Sequence, residues 1–179
     1  MQPGACLFDR KRAEAWSARP AYKGNMTYRI TGLDPAPYKP LFGLSDDDLA
    51  EQGVVRMIVD DPTYPCRVSL TDRALGESVL LVNHVSHDVA NPYRASHAIF
   101  VTEADQAPAE YVDEVPPVFE KRILSLRGFD ADGMMADAIL TQPGEADRGI
   151  RKLFANLAIA TIHAHNATRG CFSAKIERN

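Results

Sequence analysis

Tyr28 and Ile30 alternate with Thr27 and Arg29, and this period of two predicts a first strand over residues 27–30. Residues 54–59 read as a second strand, stopped by the turn Asp60-Asp61-Pro62-Thr63-Tyr64-Pro65. Residues 78–84 and 98–102 supply two more, with a long polar loop expected over 86–97. Residues 123–129 and 134–140 read as a hairpin through Asp130-Ala131-Asp132-Gly133, where Asp first and Gly fourth suit a type I turn. A last hairpin is expected from residues 158–165 and 171–177 around Asn166-Ala167-Thr168-Arg169-Gly170. Two stretches have helical character. Residues 145–157 place Ile150, Leu153, Phe154 and Leu157 on one face. Residues 45–53 begin with Ser45 as N-cap, put Asp46, Asp47 and Asp48 at the positive end of the dipole, and stop at Gly53. Strands outnumber helices and join mostly as hairpins. The expectation is a single α+β domain over residues 26–179, with a mainly antiparallel sheet of about six or seven strands and two or three helices.

The length of 179 residues suits one domain that needs neither disulfide nor metal to fold. The net charge of −4 hides an asymmetry. Residues 1–25 hold five bases against two acids, and the remainder holds fifteen against 22. So acidic a body is unsuited to phosphate backbones, and nucleic acid is set aside as a partner. No apolar run approaches the length of a membrane helix, so no membrane partner is expected. Cys6, Cys66 and Cys171 are odd in number and form no CxxC pair, which argues against a disulfide framework and for the cytoplasm. Cys6 follows small residues, but no charged-then-apolar stretch precedes it, and no signal peptide is expected. Pro20, Gly24 and Asn25 separate residues 1–25 from the first strand. They read as a mobile extension, either a basic arm or a segment upstream of a start at Met26.

Candidate chemistry concentrates in the last hairpin. On a strand Thr161, His163 and His165 share one face, and Cys171, Ser173 and Lys175 share one on the return. A register placing His165 opposite Cys171 and His163 opposite Ser173 would gather two imidazoles and a thiol, with Phe172, Ala174 and Ile176 on the core side. Such a face suits a ligand or acid–base site, a metal, or a plain solvated surface; no metal is assigned. His163, His165, Cys66 and Cys171 are the candidate catalytic groups. Arg67 next to Cys66 would lower that thiol's pKa, against the ordinary alternative of an inert buried cysteine. Arg67, Arg94, Arg127 and Asn166 are the candidate ligand-binding groups. Arg127 lies in an apolar strand, where it needs a carboxylate such as Asp130 or Asp132, or an anionic ligand. The spacing of Asp130 and Asp132 is explained more simply by turn chemistry. His84, His87 and His97 only flank the expected loop, and no phosphate loop, nucleophile elbow or HExxH is present.

Several blocks carry a resemblance: Pro65-Cys66-Arg67-Val68-Ser69-Leu70, Pro92-Tyr93-Arg94-Ala95-Ser96, Leu124-Ser125-Leu126-Arg127, Phe129-Asp130-Ala131-Asp132-Gly133-Met134-Met135, Ile162-His163-Ala164-His165-Asn166 and Gly170-Cys171-Phe172. Together they resemble an uncharacterised bacterial family, domain of unknown function 1203, from about Met26 onward. The resemblance implies a bacterial cytosolic origin and no particular chemistry. Residues alone favour a pocket for an anionic small molecule, lined by Arg and His, with histidine as general acid–base if there is turnover. The alternatives are a non-catalytic ligand-binding domain and a protein-interaction domain. Any cofactor is left unknown.

Overall fold

The computed structural model describes residues 26–179, so the mobile extension expected over residues 1–25 lies outside the described part. Within it, nine strands run as Tyr28–Thr31 (β1), Val55–Ile58 (β2), Ser78–His87 (β3), Ala95–Val101 (β4), Glu110–Val112 (β5), Leu124–Phe129 (β6), Met135–Thr141 (β7), Thr161–Asn166 (β8) and Phe172–Arg178 (β9). Helices are short: Asp46–Glu51 (α1), Pro117–Glu120 (α2) and Ala146–Phe154 (α3), with one 3-10 stretch, Ala36–Leu41. The α+β class and the antiparallel pairing are as expected. The strands divide between two sheets, one ordered β5-β1-β9-β8-β6-β7 and one ordered β2-β3-β4.

Each sheet has its own aliphatic core. On the large sheet α3 presents Ile150, Leu153 and Phe154 to Leu124, Leu126, Ile162, Ala164, Ala174 and Ile176. Gly149 permits this approach, since a Cβ there would lie 2.4 Å from Thr141 Cγ2. The small sheet packs Leu80, Val82, Ile99 and Val101 with Tyr38, Leu49, Val54, Cys66 and Val68. Helix α1 starts as the sequence suggests, with the Asp48 amide donating to Ser45 Oγ at 3.2 Å, and Gly53 turns the chain at φ +69°.

Two expectations are corrected. The loop expected over 86–97 shrinks to 88–94, because β3 runs on to His87 and β4 begins at Ala95. Its Ser- and His-rich sequence looked like a loop, yet the backbone keeps its ladder through a bulge between Val85 and His87. In the last hairpin, His163 pairs with Lys175 and Ala164 with Ala174. A bulge then sets Phe172, and not Cys171, opposite His165. One extra residue on the return strand reverses which side Phe172 and Cys171 serve. Phe172 therefore leaves the α3 side.

The face of β6, β8 and β9 away from α3 is largely covered, with Lys175 at its exposed margin. Strands β3 and β4 lie across it, so the final hairpin is covered on both sides.

Candidate functional site

The inner face of the small sheet changes character along its length. On β3 the aliphatic Leu80 and Val82 give way to His84 and, past the bulge, to His87. On β4 Val101 and Ile99 give way to His97, the cross-strand partner of His84. These imidazoles meet those of β8. His87 stands edge-on to His163 with ring centroids 5.0 Å apart, and His97 meets His165 at 4.8 Å. Phe172 fills the space between, 5.3 Å from His163, 5.8 Å from His165 and 5.7 Å from His84. Phe129 closes the other end, 4.1 Å from His87 and 4.9 Å from His163. All five histidines of the chain thus lie in one seam between the sheets.

Arg127 joins them. It sits on β6 as the cross-strand partner of His163, which pairs on its other side with Lys175. The next row reads Ser125, His165, Phe172. Arg127 meets neither Asp130 nor Asp132; among the described residues its one hydrogen bond runs from Nε to Ser125 Oγ at a long 3.4 Å. The expected carboxylate partner is thus absent among the described residues. Asp130 serves its turn, accepting from the amides of Asp132 and Met134 through Oδ1, and Gly133 closes the turn at φ +73°. That turn also supports the seam, because His87 Nε2–H donates to the Gly133 carbonyl at 2.8 Å.

Burial and like charge disfavour protonation of His84, His97, His163 and His165. Burial, with His87, His165 and Lys175 nearby, pushes His163 down to about 3. Burial and then Arg127 push His165 to about 3, against a small opposing effect of the Gly170 carbonyl. His84 and His97 are also lowered, by burial first and then by His97 and Arg127 respectively. No carboxylate takes part in any of these shifts. His165 Nδ1–H donates to Gly170 O at 3.1 Å, which leaves its Nε2 lone pair free. His97 Nδ1 bonds Ser86 Oγ at 2.8 Å, and His84 Nδ1 bonds the Tyr38 hydroxyl at 2.9 Å. His163, only 4% exposed, makes no hydrogen bond among the described residues. A cleft of about 540 Å³ lies against the stretch of β3 beyond its pairing with β2, with Tyr38, His84, Leu33, Leu41 and Val82 among its walls. Among the described residues no three His, Cys, Asp or Glu side chains are placed to hold one metal ion.

The other candidates fall elsewhere. Arg94 is an exposed residue of the 88–94 loop, paired with Asp88 at 2.9 Å. Cys66 is fully buried, and burial pushes its thiol up, so the lowered pKa expected from Arg67 does not arise. Arg67 turns instead to Cys171, donating to its Sγ at 3.2 Å, where Asn166 Nδ2 also donates at 3.4 Å. Cys171 therefore belongs with Arg67 and Asn166, apart from the imidazoles. The histidines undervalued by sequence reading are His84, His87 and His97. A signal was available: His84 follows Val82 by two residues and His97 precedes Ile99 by two, which continues the core-facing parity of each strand.

Comparison with known proteins gives one match. The family model described as "Protein of unknown function (DUF1203)" matches residues 63–178, about two-thirds of the chain, taking in the seam and the Arg67–Cys171 pair. No curated protein and no solved structure matches.

Proposed function

Because the chain belongs to this DUF1203 family, whose function is unknown, we propose from its own residues that it binds a small anionic molecule between its two sheets, on Arg127 and the surrounding imidazoles. The observation that carries the reading is the gathering of five histidines and one arginine, with no carboxylate acting on His84, His97, His163 or His165 and none bonded to Arg127 among the described residues. A half-buried guanidinium beside imidazoles that become N–H donors on taking up a proton suits a carboxylate, sulfate or phosphate group. His163, buried without a hydrogen bond, supplies a further donor. The cleft beside His84 gives room for the apolar part of such a molecule.

Imidazoles held near a pKa of about 3 are poor acid–base catalysts at neutral pH, since the best catalytic pKa lies close to the working pH. A bound anion reverses this by favouring the protonated ring, so turnover through His165 would require the ligand's own charge. Binding is therefore the primary reading, and it couples to proton uptake. We place the protein in the bacterial cytosol on the family resemblance and the free thiols of Cys66 and Cys171; among the described residues no helix is long and apolar enough to cross a membrane.

The test is thermal unfolding of the whole chain with sulfate, phosphate and small carboxylates at pH 6 and pH 7.5. An anion at about a hundred times its Kd stabilises by about 2.7 kcal/mol, a shift of roughly 5 to 10 °C at this size. The shift should be larger at pH 6 and absent in Arg127→Met. No shift with any anion at either pH, or an equal shift in Arg127→Met, would refute the proposal.

A further inference from the structure

The cleft of about 540 Å³ is built where three stretches of chain meet: residues 33–41 after β1, residues 52–54 at the end of α1, and residues 82–85 of β3. Its walls are largely apolar, with Leu33, Pro37, Leu41, Val54 and Val82 among them. That volume and that lining are ordinary for a small-molecule site. Two polar side chains meet within it, since Tyr38 Oη and His84 Nδ1 lie 2.9 Å apart and satisfy each other. Burial, with His97 near, holds His84 below its ordinary value, and burial, with Asp34 near, pushes Tyr38 up to about 12. Neither carries a charge at neutral pH. Among the described residues Asp34 is then the one formally charged side chain of the walls. Its Oδ1 accepts from the Ala36 amide at 2.9 Å, which orients the carboxylate, and among the described residues it forms no ion pair. A purely apolar molecule filling the cleft would strip water from Asp34 and return nothing, which is costly for a carboxylate. An anion there would be repelled. A cation restores what the carboxylate loses, and the ring of Tyr38 beside it adds attraction for an ammonium. The flanks agree in sign: α1 brings Asp47, Asp48 and Glu51, against the single base Lys39 of the 3-10 stretch.

We propose that the cleft is a binding site for an organic cation, an apolar body bearing a protonated primary amine. The ammonium pairs with Asp34, and the body lies on Leu41, Val54 and Val82. This adds to the anion site on Arg127 the chemistry of what fills the cleft, and it stands on the cleft walls alone. A molecule that reaches both places would carry charges of both signs.

Phenethylamine titrated into the whole chain at neutral pH, followed by the NMR shifts of amides and histidine rings, tests this. The uncharged probe of equal shape is 2-phenylethanol. The amine should move the signals of Gly53, Val82 and His84 and bind roughly fivefold more tightly than the alcohol. Asp34→Asn keeps an oxygen for the Ala36 amide and so keeps the turn; it should bring the amine down to the level of the alcohol. Arg127→Met should leave the amine's affinity unchanged. No binding of the amine, equal binding of amine and alcohol, an amine preference that survives in Asp34→Asn, or shifts confined to residues away from the cleft would overturn the proposal. Sulfate or phosphate binding on Arg127 without an amine preference would overturn this site and leave the anion site standing. The reverse pattern would refute the anion site alone.

Discussion

His97 of β4 and His165 of β8 face each other across the two sheets with ring centroids 4.8 Å apart and planes at 66°. Neither ring has a carboxylate beside it, and Arg127 works against the protonation of both. The contact holds while both rings are neutral and becomes repulsive when both are protonated. This makes the junction of the sheets sensitive to acid.

Stability should therefore fall as pH is lowered. His163 and His165 sit near a pKa of about 3 in the folded chain against about 6.5 unfolded. Below pH 6.5 the unfolded chain takes up protons that the folded chain refuses. Their contribution is complete above about 6.5 and is lost progressively as pH falls through the window down to about 3. At pH 5 each ring costs about 2 kcal/mol. His84 and His97 add in the same direction. Urea unfolding at pH 7.5 and pH 5 measures this, and equal midpoints would contradict it.

Arg127→Met should leave the fold intact, since the arginine has no carboxylate to lose and only a weak bond to Ser125. Removing its charge should raise the pH at which His97 is protonated, and that of His165 with it. Following the histidine ring protons by NMR during a titration reads this directly. A loss of stability beyond about 1 kcal/mol would show that Arg127 has a structural role.

Gly133 should tolerate no side chain. Its φ of +73° is unfavourable for other residues, and a Cβ would stand 2.6 Å from Val89 Cγ1. Gly133→Ala should cost roughly 1 to 3 kcal/mol, measured by chemical denaturation. It should also loosen loop 88–94 and disturb the carbonyl that receives His87. Unchanged stability would mean that the turn relaxes freely.

Tyr28 ties the start of β1 to α3. Its hydroxyl donates to Asp147 Oδ1 at 2.7 Å, and Arg151 Nε donates to the same carboxylate oxygen at 3.0 Å. Tyr28→Phe should cost about 1 kcal/mol, the usual value of one hydrogen bond. The measurement is the denaturation midpoint, with Asp147→Asn as a control that weakens both contacts.

Much of the architecture was legible because parity and capping are local. Ser45 and Gly53 bound α1, Asp130 and Gly133 make the β6–β7 turn, and alternation placed Ile162 and Ala164 on the core side of β8. Bulges were not legible. One between Val85 and His87 turned an expected loop into strand, and one opposite Ala164 and His165 exchanged Phe172 for Cys171. Each shifts parity by one residue with no compositional mark. His163, His165 and Arg127 were found from their positions on strands, but the residues facing them come from another sheet. Arg67 was noted beside Cys66 in sequence, whereas its chemistry lies with Cys171, more than a hundred positions away.

The two aliphatic cores have a consequence for how the molecule opens. Leu126, Ile150 and Ile162 hold one sheet to its helix, Leu80, Val82 and Ile99 hold the other, and imidazole contacts fill much of the space between. Contacts between neutral polar rings bury less apolar area than either core, so the seam is the plane along which the protein should part first. The unit β2-β3-β4 would then behave as its own foldon. Its amides should exchange with solvent deuterium sooner than those of β6, β8 and β9, and the gap between the two groups should widen as the buffer is made acidic.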